Sequence, residues 1–202
     1  MKIICIGRNY ADHAKELNSP VPSKPVFFMK PDTALLHPHN PFFIPDFTND
    51  LHYETELVIK ISKHGKCIAE KFAHKYYNEI TVGIDFTARD LQTECKDKGL
   101  PWEIAKSFDQ SAPIGTFIPF EPFRGKDILF GLKINGEWRQ NGNSKDMLFG
   151  FDRIIAYVSQ FITLRKGDCI FTGTPVGVGK TMPEDQFEVF IEDQKLLSFK
   201  AK

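Results

Sequence analysis

Runs and alternations of apolar residues divide the chain into short elements, most with the two-residue period of a β-strand. Lys2 to Gly7 reads as a first strand, and Val26 to Lys30 as a second that Pro31 terminates. Glu54 to Ser62 and Glu79 to Phe86 are rich in β-formers, and the nearly unbroken apolar run of the latter marks a buried strand. His64-Gly65-Lys66 is a turn into Cys67-Ile68-Ala69. Ile128 to Ile134, then Asn135-Gly136, then Glu137 to Gln140 form a hairpin, since Asn-Gly fits the tight turn that joins antiparallel strands. Gly167 to Thr172, Gln186 to Ile191 and Lys195 to Phe199 are further strands, and Pro113 to Pro119 is extended. Helical segments are fewer: Tyr10 to Leu17, Thr87 to Lys98 ending at Gly99, the amphipathic Phe151 to Ile162, and a helix or turn over Lys71 to Tyr77. Asn18 to Pro25 and Leu36 to Pro45 are proline-rich loops, and the second is placed to close over something. Strands outnumber helices and no βαβ rhythm repeats, which predicts one α+β domain, mainly β, without linker or repeat.

Charge removes some function classes. Lys plus Arg equals Asp plus Glu at 26 each, so no net field draws the chain to nucleic acid or to an anionic membrane. No apolar run approaches a membrane span, and Met1 to Gly7 reads as a strand in place of a signal peptide. Cys5, Cys67, Cys95 and Cys169 are scattered with no C-x-x-C, which predicts reduced thiols and a cytoplasmic protein. The 19 Phe residues belong mostly to the core, with some left for a pocket or a subunit interface.

Candidate chemistry begins at Glu54 and Glu56. Two residues apart on a strand, they project to one side, where a hard divalent cation such as Mg²⁺ or Mn²⁺ would relieve their repulsion. Asp85 is a third carboxylate in the apolar run Ile80 to Phe86, and carboxylates are rarely buried alone. The plainer alternative is a wet strand face plus an aspartate that starts a turn. His13 and Glu16, three apart on the first helix, share a face, so a carboxylate can orient an imidazole as a general base requires; a solvated helix face is the alternative. Lys106 has apolar neighbours and could stabilise an enolate or oxyanion. Gly173 to Thr181 imitates a phosphate loop, but Thr174 stands where the first glycine is needed and Pro183 spoils the following helix. What remains is a Gly-rich turn able to cradle a carboxylate, or a plain strand connection. His37-x-His39 and His64-x-x-Cys67 lack a second ligand pair at zinc spacing.

Seven stretches in order carry a resemblance: Gly7-Arg8-Asn9-Tyr10-Ala11-Asp12-His13, Phe28-Met29-Lys30-Pro31, Tyr53-Glu54-Thr55-Glu56-Leu57, Asp85 to Gln92, Lys98-Gly99-Leu100-Pro101-Trp102, Ala105 to Asp109, and Thr172 to Gly179. Together they resemble the fumarylacetoacetate hydrolase family, most closely its single-domain acylpyruvase and oxaloacetate-decarboxylase branch. The resemblance implies one catalytic domain over residues 1–202, a rolled mixed β-sheet with small flanking helices, with a short lid helix within residues 1–50, and a homodimer. It implies Glu54, Glu56 and Asp85 as ligands of Mg²⁺ (or Mn²⁺), and His13 with Glu16 as the water-activating dyad. Lys106 would be the cation beside a developing enolate, and Arg89, Gln92 and Thr174 would hold the substrate. The implied activity is C–C hydrolysis or decarboxylation of a small 2-oxo acid through an enolate held at the metal. The alternative is an isomerase or tautomerase of a 2-hydroxy-dienoate or of oxaloacetate. Nucleic acid and membrane are not among the partners. The chain departs from the family pattern at Glu184-Asp185 and Glu192-Asp193, where glycine is usual nearby, and at Asp32, where a small hydroxyl residue is usual.

Overall fold

The computed structural model describes residues 1–16, 20–37 and 40–202; Leu17, Asn18 and His39, named above, lie outside the described residues. In chain order the elements are β1 Ile3–Gly7, α1 Ala11–Glu16, β2 Val26–Lys30, β3 Leu51–Tyr53, β4 Thr55–Ile61, α2 Glu70–Ala73, β5 Tyr77–Ile84, β6 Thr87–Ala88 and α3 Arg89–Lys98. They continue with α4 Glu103–Lys106, β7 Ile118–Pro119, β8 Leu129–Ile134, β9 Glu137–Asn143, α5 Phe151–Phe161, β10 Cys169–Phe171, β11 Gly179–Lys180, β12 Gln186–Ile191 and β13 Gln194–Lys200. Strand predominates, as the periodicity predicts.

The strands form three sheets. The largest runs β2-β1-β10-β4-β5-β7, with β1 and β10 parallel and the other neighbours antiparallel, so it is mixed. A small sheet runs β11-β3-β6, and an antiparallel one runs β13-β12-β8-β9. The predicted hairpin is β8–β9, and Asn135 and Gly136 both take positive φ, as their turn requires. One face of α5 buries Phe151, Ile154, Ile155 and Val158 in the main core. Phenylalanines dominate that core: Phe42 stacks on Phe86 at 4.0 Å and Phe187 on Phe199 at 4.8 Å, with Phe86 edge-on to Phe187. The four thiols are free. Among the described residues no helix is long and apolar enough to cross a membrane.

Two differences from the sequence reading place the site. The strand expected over Glu54 to Ser62 forms over Thr55–Ile61, and Glu54 itself lies between β3 and β4, which belong to different sheets. The helix expected from Thr87 starts at Arg89, because Thr87 and Ala88 pair with His52 and Leu51 in the small sheet. Asp85 therefore occupies the matching gap between β5 and β6. Both chain segments change sheets side by side, and the Asp85 N–H donates to the Glu54 carbonyl at 2.8 Å. Around them, Phe86 N bonds Ser111 O instead of continuing the β5 ladder, Lys71 to Tyr77 yields a helix only over Glu70–Ala73, and only Ile118–Pro119 of the extended 113–119 segment joins a sheet.

Candidate active site

The sheet crossover brings three carboxylates together. Glu54, Glu56 and Asp85 are buried, and one oxygen from each lies within 4.8 Å of the others. Their surroundings differ. Burial alone would raise the Glu54 pKa, but the Lys106 and Arg89 charges outweigh it and hold the carboxyl well below the usual range. Glu56 goes the other way: burial, then the charges of Asp85 and Glu54, push it well above that range. Among the described residues Glu56 has no cationic partner; Oε2 accepts a 2.6 Å bond from the Gly173 N–H.

Lys106 Nζ donates to Glu54 Oε2 at 2.9 Å, Asp85 Oδ2 at 2.8 Å and Thr87 Oγ1 at 2.6 Å, which engages all three of its protons. Burial lowers the Lys106 pKa, but Asp85 and Glu54 more than compensate and raise it. Arg89, first residue of α3, pairs with Glu54 Oε1 at 2.6 Å and donates to Gln92 Oε1 at 2.7 Å. The opposite side of Asp85 meets Lys30, whose ammonium lies 2.8 Å from Oδ1 and also donates to Ser111 Oγ and to the carbonyls of Ser111 and Lys106. Sequence reasoning gave Lys30 no role. It ends an exposed-looking strand just before a proline, and only the fold reveals that it is 1% exposed.

His13 Nδ1 and Glu16 Oε2 are 2.9 Å apart, so the predicted pair forms. With the Nδ1 proton directed at the carboxylate, Nε2 is the basic nitrogen and has no partner among the described residues. Glu16 Oε1 also accepts from the Gly177 N–H at 3.1 Å. The Gly-rich turn thus does cradle carboxylates through its backbone, and both belong to the protein itself. Gly173 is obligatory there, because φ is +100° and a Cβ would sit 2.7 Å from the Asn9 Cβ. Thr174 is anchored by Gln140, whose Nε2 donates to Thr174 Oγ1 at 2.9 Å while its Oε1 accepts from the Thr55 N–H at 2.9 Å. Gln140 is a second residue the sequence did not flag; a buried amide in a hairpin strand leaves no local signal.

Eight of the nine candidate residues line a single open pocket: His13, Glu54, Glu56, Asp85, Arg89, Gln92, Lys106 and Thr174. Glu16 reaches it through His13. A family description, fumarylacetoacetate (FAA) hydrolase C-terminal, matches residues 2–201. The chain belongs to the fumarylacetoacetate hydrolase family. The mouse protein named oxaloacetate tautomerase FAHD1, mitochondrial, is 46% identical over 201 residues, covering 99% of this chain and 91% of the mouse protein. Oxaloacetate tautomerase YcgM of Escherichia coli K12 is 41% identical over 197 residues, covering 96% and 90%. Fumarylpyruvate hydrolase from Pseudomonas aeruginosa, solved with Mn²⁺ and pyruvate, superposes with a TM-score of 0.93 at 36% identity, covering 100% of this chain and 89% of that one.

The donor set of this family member suits a hard divalent cation. It is all carboxylate oxygen, it is buried, and it contains one acid, Glu56, whose pKa burial and then the charges of Asp85 and Glu54 push up, a conflict that a bound cation would relieve. Glu54, Glu56 and Asp85 would hold the ion.

Proposed function

We propose that the chain is a divalent-metal-dependent enzyme of small 2-oxo acids, with Mg²⁺ or Mn²⁺ on the triad, whose first reaction is keto–enol tautomerisation of oxaloacetate. The observation that carries this is the His13–Glu16 pair in the same pocket as three clustered carboxylates and Lys106. The names of the mouse and E. coli relatives support placing tautomerisation ahead of C–C cleavage, which reverses the order drawn from sequence alone.

When bound, the cation supplies Lewis acidity at the substrate's keto group. Arg89, Gln92 and Thr174 bind and orient the 2-oxo acid head. His13 Nε2 removes a proton from C3, the C–H electron pair becomes the new C=C bond, and the keto oxygen gains the carbonyl electrons. Glu16 stabilises the imidazolium, which then returns its proton to that oxygen. Lys106, fixed by three acceptors, offsets the negative charge as it develops without reorganising. A second reading, hydrolysis of an acylpyruvate or decarboxylation, uses the same groups. Glu16 is one-third exposed, so the dyad can reach water, and a structural relative is a fumarylpyruvate hydrolase. Exposed Val26, Met29, Leu100 and Ile104 favour a homodimer, and four free cysteines favour the cytoplasm.

The deciding experiment follows the ultraviolet absorbance of enol-oxaloacetate, and pyruvate release from oxaloacetate and acetylpyruvate, each with Mg²⁺ and with EDTA. Metal-dependent loss of the enol signal without pyruvate is expected, and His13→Ala slows it by about a hundredfold or more. Interconversion at the buffer rate, with pyruvate released from acetylpyruvate, would hand the assignment to hydrolysis. Turnover indifferent to EDTA would sink both readings.

A further inference from the structure

The three side chains assigned to the substrate head do not come by their polarity in the same way. Arg89 has only donors. Gln92 could turn either end of its amide to the pocket, but Arg89 occupies its Oε1 at 2.7 Å and leaves the N–H groups free. Thr174 carries a hydroxyl that can donate or accept, and nothing in its own chemistry chooses between them. The choice is made from β9, a strand that holds none of the candidate residues. We propose that Gln140 is a positioning residue: by donating to Thr174 Oγ1 it turns the hydroxyl proton into the pocket, so that the head site offers its ligand donors only.

An irregularity in β9 brings Gln140 inward. Leu132 pairs with Gln140 but Lys133 pairs with Trp138, so Arg139 is an extra residue in the ladder. Such a bulge re-aims the side chains beside it. Glu137, Trp138 and Arg139 are all exposed, whereas Gln140 is buried opposite the core residue Leu132. An amide there is costly unless it is bonded, and both ends of this one are. Backbone groups fix which way round it lies. Oε1 accepts from the Thr55 N–H at 2.9 Å, and Nε2 donates to the Pro175 carbonyl at 3.0 Å. Turned over, the amide would set N–H against N–H and oxygen against oxygen. The second Nε2 proton is therefore committed to Thr174 Oγ1, at 2.9 Å. The strand and the Gly-rich turn lie close enough for these bonds because Gly177 has no side chain; a Cβ there would sit 2.6 Å from Arg139 O.

With Oγ1 acting as an acceptor, the Thr174 hydroxyl must send its own proton elsewhere. Among the described residues the other acceptor in range is Pro175 O, 3.5 Å away and already bonded to Gln140. A bond that long is weak. Thr174 is buried except where it lines the pocket, so the proton is left for whatever binds there. A carboxylate accepts through both oxygens and can answer Arg89, Gln92 and Thr174 together. A head bearing its own N–H or O–H meets donor with donor, which a hydroxyl free to rotate would forgive and a fixed one does not.

This rests on the 2-oxo acid reading above, and pyruvate, which is little more than the head, separates the two. Calorimetry gives the affinity for pyruvate in Mg²⁺ buffer and, in a separate titration, the affinity for Mg²⁺. Wild type is expected to bind pyruvate. Gln140→Met keeps the length but loses both donors, and should weaken pyruvate about fivefold. Gln140→Glu still accepts from Thr55 but draws the Thr174 proton to itself, for a loss of about twentyfold, and it reports where the methionine variant does not fold. In a Thr174→Val background neither change at position 140 should move pyruvate affinity by more than about twofold. Mg²⁺ affinity should hold throughout, and with oxaloacetate the loss should fall on KM more than on kcat. Unchanged pyruvate affinity in both Gln140 variants would overturn the positioning role while leaving the head site standing. So would losses that persist in full in the Thr174→Val background, or that follow Mg²⁺ affinity, since both would place the effect in the fold. Failure of wild type to bind pyruvate would overturn the 2-oxo acid reading and the positioning role with it.

Discussion

Asp85 and Phe86 are adjacent and both are buried, at 1% and 0% exposure, yet they belong to opposite kinds of interior. Phe86 lies in a stack with Phe42, Phe187 and Phe199, where stability comes from area removed from water and from ring packing, in many small contacts. Asp85 lies between two ammonium groups, each at 2.8 Å, where nearly everything depends on a few pairings. Loss of one contact in the first region costs its share. Loss of one partner in the second leaves an uncompensated charge in a place it cannot leave. Glu56 sharpens the contrast, since it lies in the charged region with no ion-pair partner among the described residues. Its position favours ion binding at the expense of the metal-free fold, as active sites often do.

The largest effect is expected at Glu56. Glu56→Gln keeps the volume and an oxygen to accept from the Gly173 N–H, but removes the charge. Turnover and Mg²⁺ affinity should vanish together, while the melting temperature measured in EDTA rises by about 2–4 °C, on the order of 1 kcal/mol for a chain of this size. Metal-dependent turnover by the variant would defeat the ligand assignment. A lower melting temperature would show that Glu56 is not the strained member of the triad.

Next come two substitutions that compare the regions directly by urea denaturation. Lys30→Met strips Asp85 of one ammonium and removes one of the two donors to each of the Ser111 and Lys106 carbonyls, a loss of about 3–5 kcal/mol. Phe187→Leu, equally buried, should cost only about 1–2 kcal/mol because neighbouring rings can settle partway into the space. Equal costs would mean that the charged cluster relaxes as readily as the apolar one, and the contrast would fail.

The same contrast explains what was legible in the sequence. Apolar periodicity is written locally, so β1, β2, the β8–β9 hairpin and α5 were readable, and so was a pair such as His13 and Glu16 on one helical turn. The E-x-E pattern was visible too, though not the break between two sheets at Glu54. That break depends on β3 pairing with β6 and β11 while β4 pairs with β5 and β10, and no local pattern encodes such pairings. Lys30 and Gln140 were invisible for a related reason. Their partners are distant in the chain: Asp85 and Ser111 for Lys30, Thr55 and Thr174 for Gln140. In a strand each has the look of an ordinary outward polar residue.

Two exposed turns outside both regions carry conflicts of their own, and they supply the smallest prediction. Where glycine was expected near the two late turns, Glu184 and Glu192 both adopt the left-handed conformation, at φ of 72° and 49°. For an L residue that conformation costs on the order of 1 kcal/mol, and glycine removes the strain but adds freedom to the unfolded chain. The balance should differ between the two sites. Glu192 compensates for its strain, because its Oε1 accepts from the Leu129 N–H at 3.0 Å at the edge of β8. Glu184 only pairs with Lys200, and both side chains are exposed to solvent that screens them. Glu184→Gly should therefore leave the melting temperature level or raise it by about 1 °C, whereas Glu192→Gly should lower it by about 2–4 °C through loss of that bond. Opposite signs from two turns with the same backbone strain would show that a side-chain bond to the sheet edge decides the outcome. Equal shifts would assign it to the backbone alone.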